Sequence, residues 1–270
     1  MLIGPLWCAR AQAWTCVQPK DTPQQVSGSN DCGIGVLLFA RCKAKGEKIP
    51  EQLGNTNVLR ESYRKAIDEW DEAAKKARHS TQHTPTHTCL HGTQHPRTHA
   101  HTHTRTTRTH AHTHHATRMQ ASGIPWNKKL ECLTPGRQLN DEVINFFMKK
   151  LRSAKVYAFE TPFWVKLAED GEYTYSNVAS WFEPEDLVTK NLLLIPIHRP
   201  GHWILAAVCV KEKTIEVYDT CAPGDHKIVF DFLPRFMEEV TKAAEKKAAE
   251  KKAVAKKVAA EDGMLSTHFL

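Results

Sequence analysis

The stretch from His79 to Arg118 cannot enter a hydrophobic core, and it divides everything that can. It holds 12 of the 16 histidines, interleaved with Thr, Ala and Arg. A segment of that composition has too little apolar surface to offset the entropy of ordering it. A core must therefore come from two blocks, residues 1–78 and 122–242, joined by a disordered linker over 79–121. Residues 243–270 read as a Lys/Ala-rich helix and tail. Alternating His-Thr would also suit divalent-metal chelation, but a CA dinucleotide repeat read in one frame encodes the same alternation. The tract is accordingly read as a linker, with no metal and no cofactor expected.

Composition excludes several classes. Of the 270 residues, 41% are hydrophobic and 25% charged, as in ordinary soluble domains. No apolar run approaches the roughly 18 residues of a membrane span. The opening Met1–Cys8 has no positive n-region, and Pro5 interrupts its short apolar run, which argues against a secretory signal. The 8 cysteines show no CxxC pairing, which disfavours a zinc ribbon or a disulfide scaffold and favours a reducing compartment. The net charge of +7 is concentrated late: Lys242 to Lys257 holds seven lysines against two glutamates. That stretch reads as a solvated helix with Glu-Lys neighbours, with no nucleic-acid partner expected.

Short strands and helices are grouped, not strictly alternating, so the fold class is α+β. Strands are expected at Ala13–Val17, Asn191–Ile197, Trp203–Val210 and Thr214–Asp219. Cys32–Ala40 reads as a buried helix with Asp31 at its N-cap. Asn57–Arg78, Asn140–Leu151 and Ile228–Lys242 carry helical apolar spacing. Phe163–Leu167 and Tyr175–Phe182 read as short helical pieces.

Four side chains stand where chemistry is feasible. Cys32 falls on the first turn of a helix, where unpaired N–H groups and the dipole favour a thiolate. Placement alone equally allows a buried core cysteine. His202 opens one apolar strand, and Asp219 ends the next. The tight Lys211-Glu212-Lys213 turn brings those two ends together, the geometry in which a carboxylate orients an imidazole. His198 competes, but it precedes a Pro-Gly turn. Gln25 lies in the loop before Cys32, from which its amide could donate to an oxyanion.

Pro23-Gln24-Gln25-Val26-Ser27-Gly28-Ser29-Asn30-Asp31-Cys32-Gly33 resembles the nucleophile box of the ubiquitin-like-protein-specific proteases, the Ulp/SENP family. Leu192–His198, Gly201-His202-Trp203 and Ile215–Thr220 resemble that family's His and Asp strands. Leu133–Asn145 resembles the opening of its catalytic domain, and Phe163–Leu167 with Trp181 adds to the likeness. The resemblance implies a papain-like cysteine protease fold. It makes Cys32 the nucleophile, His202 the general base and acid, Asp219 its orienter and Gln25 the oxyanion donor. Trp203 would flank the tunnel for a Gly-Gly tail, and Asp141 would touch the body of the tag. The implied partner is a ubiquitin-like protein, SUMO foremost, with its conjugates. The implied compartment is nucleus or cytoplasm.

Three departures stand out. The Gln/Cys box precedes the His/Asp strands, whereas the family runs the other way, so the chain reads as two circularly permuted halves. A gene spanning parts of two tandem copies would give the same order. Gln25 lies seven residues before Cys32 where six are expected. Gln138 stands where the family has a Trp beside Leu139-Asn140-Asp141, at the roof of the tunnel. The permuted fold is physically accessible: a flexible linker of ~44 residues spans roughly 35–40 Å, and loop-closure cost grows slowly with length. Exchange of halves between two copies is the alternative to a monomer. Two other functions remain open: a deubiquitinase or deneddylase, and an inactive remnant or tag-binding module.

Overall fold

The structure is a computed structural model that describes residues 13–81, 126–221 and 224–266. The His/Thr tract beyond Thr81 and the opening Met1–Cys8 lie outside the described residues; the tract's first residues, expected to be disordered, instead end the helix Thr56–Thr81. Along the chain the elements are β1 (Thr15–Val17), α1 (Cys32–Lys45), α2 (Thr56–Thr81), α3 (Trp126–Lys129), α4 (Asp141–Leu151), β2 (Val156–Ala158) and α5 (Pro162–Leu167). They continue with α6 (Pro184–Thr189), β3 (Leu192–Arg199), β4 (His202–Cys209), β5 (Thr214–Tyr218) and α7 (Lys227–Ser266).

The five strands form one sheet in the order β1-β5-β4-β3-β2. The meander β3-β4-β5 is antiparallel, while β1 lies parallel to β5 and β2 parallel to β3. The central strands read as unbroken apolar runs because both of their faces are covered. Period-two alternation then sorts the side chains. Leu192, Leu194, Trp203, Leu205, Ala207 and Tyr218 pack under α1, α2 and α4. Leu193, Ile195, Ile197, Ile204, Ala206, Val208, Ile215 and Val217 pack under α5 and the first half of α7. From Cys32 to Ala40 helix α1 is apolar on every side and buried throughout, as such a stretch must be; its charged residues, Arg41, Lys43 and Lys45, come only in the last turns.

The two blocks build one core. The first supplies β1 to the edge of the sheet and α1 to its face, and the second supplies the remaining strands. Their seam is held by Arg60, a guanidinium with 1% exposure on α2. It donates to the carbonyls of Asn30, Cys132 and Thr134 and to Oδ1 of Asp31, at distances from 2.8 to 3.4 Å. One side chain thus binds the residues just before Cys32 to the residues that open the second block.

Several elements differ from the sequence expectations. Asp31 does occupy the N-cap of α1, but its side chain makes no cap hydrogen bond; its carboxylate takes Arg60 and Thr56 instead. A full ion pair outcompetes a single cap bond. Tyr175–Phe182 is helical only over a 3-10 turn at Tyr175–Asn177. The short β2 escaped notice because three residues carry too little alternation to read. No break occurs at residue 242: α7 runs on, with Lys247 and Lys251 paired to Glu183 and Glu185 near α6. These lysines engage glutamates of another helix, not their own helical neighbours, and exposed pairs of this kind contribute little. Among the described residues, no helix is long and apolar enough to cross a membrane.

Replacing Arg60 with Leu leaves the Asp31 carboxylate and three carbonyls without their donor. The expected loss is about 3–5 kcal/mol of unfolding free energy, measured by urea denaturation. An unchanged midpoint would show that the seam is held elsewhere.

Candidate active site

The β4–β5 hairpin pairs Leu205 with Tyr218, so His202 at the start of β4 lies beside Asp219 just past β5. His202 Nε2 and Asp219 Oδ1 are 2.7 Å apart. Asp219 is 2% exposed, and the same oxygen accepts the backbone N–H of Cys221 at 2.8 Å. With Nε2 committed to Asp219, the other ring nitrogen is left for the thiol of Cys32, and each of these two groups shifts the titration of the other.

Cys32 reaches that position because α1 comes very close to its surroundings. A β-carbon on Gly33 would meet Cβ of Leu139 at 2.8 Å, and one on Gly35 would meet Cγ2 of Thr220 at 2.5 Å. Neither position tolerates a side chain without displacement. The loop before α1 is stitched to the end of β5. The Gln25 N–H donates to the Thr220 carbonyl at 3.0 Å, the Thr220 hydroxyl donates to Gln25 Oε1 at 3.0 Å, and Gln24 Nε2 donates to the Asp219 carbonyl at 3.2 Å.

The electrostatics follow from these contacts. Burial pushes the Cys32 thiol up, but the His202 hydrogen bond, the Trp203 backbone N–H, the His202 charge and the Gln138 amide together hold it below its ordinary value. Asp219 follows the same pattern: burial raises it, and the bonds from His202 and the Cys221 N–H bring it below the usual carboxylate value. His202 is pushed up to about 9, first by the Asp219 hydrogen bond and then by Cys32. Each group thus favours the charged form of the other, the direction in which a cysteine becomes a better nucleophile.

Among the expected site residues, Cys32, His202 and Asp219 come together. Trp203 is 3% exposed and donates its indole N–H to the Leu139 carbonyl at 2.9 Å, and its backbone N–H helps to lower the Cys32 thiol. Gln138 is half-buried, and its amide lies 3.9 Å from the Cys32 sulfur. Gln25 is close by, but its amide donates to the Ser29 carbonyl at 2.8 Å. Asp141 is exposed on the first turn of α4, whose cap is Asn140, accepting the Val143 N–H at 3.0 Å. His198 is exposed, with its ring 4.5 Å from that of Trp203. His202, Asp219 and Cys221 present donor atoms within 4.8 Å of one another. The 2.7 Å separation of the first two is nevertheless a hydrogen bond, not the spacing of two ligands on one ion. Sequence reasoning missed Arg60 and His226, because a buried polar side chain far along the chain carries no local signal.

Residues 137–259 match the model of the Ulp1 protease family, C-terminal catalytic domain. That segment is thus similar to the catalytic domain of the Ulp1 proteases. The segment resembles Sentrin-specific protease 2 of Mus musculus, at 35% identity over 111 residues, covering 38% of this chain and 18% of that protein. It resembles Ubiquitin-like-specific protease ESD4 of Arabidopsis thaliana at 30% over 132 residues, covering 44% and 27%. A Sentrin-specific protease of Caenorhabditis elegans matches at 31% over 110 residues, covering 38% and 15%. The chain thus spans less than a third of the length of these relatives. The Ulp1-family segment contains His202 and Asp219; Cys32 lies outside it, in the block that folds against it.

Replacing Asp219 with Asn removes the acceptor and the negative charge that favour the imidazolium. His202 should then titrate well below about 9, toward the ordinary value near 6.5, in an NMR titration of the ring. The alkaline limb of any pH–rate profile should move down with it.

Proposed function

We propose that this chain is a cysteine-type peptidase and isopeptidase that cuts after the Gly-Gly tail of a ubiquitin-like protein, SUMO foremost. The observation that carries the reading is that one imidazole, His202, hydrogen-bonds Asp219 and also lowers the Cys32 thiol, although Cys32 lies on the far side of the His/Thr tract. Cys32 would attack the carbonyl carbon of the terminal glycine as a thiolate. The imidazolium of His202 would protonate the departing lysine amine, leaving a thioester. His202 would then take a proton from water as that water attacks, releasing the tag and regenerating the thiol pair. Trp203 and Gln138 would line the tail's approach, and exposed Asp141 would meet the body of the tag. The related proteins named for sentrin and ubiquitin-like substrates support this choice of partner. Nucleus or cytoplasm is the compartment in which such conjugates would be met.

The proposed architecture is a permuted catalytic domain, with residues 13–78 as its second half and residues 126–242 as its first. The parallel pairing of β1 with β5, and the Arg60 contacts across the seam, support that assembly. The oxyanion needs donors beside the sulfur. Gln25 would have to release Ser29 to serve. The Gln138 amide already points at the sulfur and would be the first donor available. In that role an amide at position 138 would partly replace the roof that an indole gives the family's tunnel.

Tag-derived probes that trap cysteines should label Cys32 in the wild-type chain and not in Cys32→Ser. Probes for SUMO, ubiquitin and NEDD-like tags compared side by side would assign the substrate. No adduct with any of them would leave a tag-binding module as the remaining reading. Gln138→Ala should lower kcat by about 10²-fold with the probe adduct retained. Gln25→Ala should cost less.

A further inference from the structure

Asp219 is held from two sides, and only one of them is His202. The second is His226, 3% exposed, just ahead of α7. Its Nε2 lies 3.5 Å from Asp219 Oδ2, the distance of a charge contact, and has no hydrogen-bond partner among the described residues. Its Nδ1 lies 3.1 Å from an Arg199 guanidinium nitrogen. Arg199 is the cross-strand partner of His202 in the β3–β4 ladder, and the same nitrogen donates to the Asp225 carbonyl at 2.6 Å.

The tautomer follows by elimination. A guanidinium has donors and no acceptor, so Nδ1 of His226 must accept. A neutral imidazole then carries its proton on Nε2, which faces the carboxylate. A doubly protonated ring would set N–H against N–H at Arg199. Burial and the Arg199 charge both keep the ring neutral. Asp219 thereby receives His202 and the Cys221 N–H on one oxygen, while its other oxygen faces Nε2 of His226 at 3.5 Å. The Nε2 contact is longer than an ordinary bond of about 2.7–3.2 Å. A buried N–H facing a carboxylate nevertheless has no better acceptor available.

We infer that His226, locked by Arg199 as the Nε2–H tautomer, is a positioning residue that fixes and desolvates the Asp219 carboxylate for His202. The inference rests on the Cys32–His202–Asp219 reading above. His226 touches neither the sulfur nor the tail; it acts through Asp219 alone. A positioning histidine differs chemically from one that merely fills space. A glutamine at 226 could accept from Arg199 and donate to Asp219, whereas leucine could do neither.

Two measurements on the full chain test this without any turnover. Nitrogen-detected NMR of the histidine rings should show His226 as the neutral Nε2–H tautomer at neutral pH, titrating below its ordinary value of about 6.5. A proton on Nδ1, or titration at or above that ordinary value, would overturn the inference. Carbon-detected titration of Asp219 should move up by about one unit, a tenfold change, in His226→Leu, and stay near wild type in His226→Gln. Leu titrating like wild type, or Gln displaced as far as Leu, would overturn it too. Should His226→Leu not unfold cooperatively, the wild-type tautomer and the Gln variant still decide. With a Gly-Gly tag substrate, His226→Leu should lower kcat with KM unchanged, and His226→Gln should restore it. A wild-type chain with the stated tautomer and titration but no turnover would count against the protease reading and not against this one.

Discussion

A buried guanidinium has to be surrounded by acceptors, and the surroundings of Arg60 shape everything near the thiol. Removing such a charge from water costs several kcal/mol unless hydrogen bonds replace the lost solvent. Arg60 finds them in Asn30, Asp31, Cys132 and Thr134. Two of those residues immediately precede Cys32, and two close the 3-10 turn that opens the second block. The side chain can be satisfied only when both blocks are present and in register. The position of Cys32 relative to Gln138 and Leu139 is thus coupled to a contact that involves none of them.

That coupling explains why the N-terminus of α1 is organised as it is. An aspartate at an N-cap ordinarily bonds the first-turn N–H groups. Here Asp31 turns to Arg60 and Thr56, and its backbone carbonyl still accepts the Gly35 N–H at 3.0 Å. The first-turn donors of α1 are left free of a side-chain acceptor. Those are the donors that favour a thiolate at Cys32. An aspartate cap would have placed a competing negative charge beside the sulfur.

The positions of Cys32, His202 and Asp219 were legible because each sits at the end of an element whose pattern is strong. The His and Asp strands run to their apolar limits, and one tight turn fixes which ends meet. The central sheet was legible for the same reason. What could not be read shares one physical property: its meaning comes from residues distant in sequence. Arg60 reads as one more charge on an amphipathic helix until its four partners surround it. Gln138 reads as a substitution in a motif until its amide stands beside the sulfur. The extra residue before Cys32 is visible as spacing, but its effect on Gln25 depends on which carbonyl the lengthened loop presents, and that carbonyl is Ser29. Strand β1 pairs with β5 from the opposite end of the chain, and no local period encodes such a pairing.

The same layering governs the charges of the site. Burial raises the thiol and the carboxylate alike, so neither would ionise readily if left alone. His202 reverses both penalties because it can be shared between them. Its imidazolium lies between two groups that gain from a positive neighbour, and each gain reinforces the other. The arrangement is stable only while Asp219 keeps facing the ring. A carboxylate held through one oxygen can turn about its own axis, whereas one engaged at both oxygens cannot. Arg199 and His226 place a buried ring nitrogen 3.5 Å from the second oxygen, from the strand that pairs with His202 and from the start of α7. The hairpin that delivers the imidazole therefore also delivers, through Arg199, the restraint on the carboxylate that orients it.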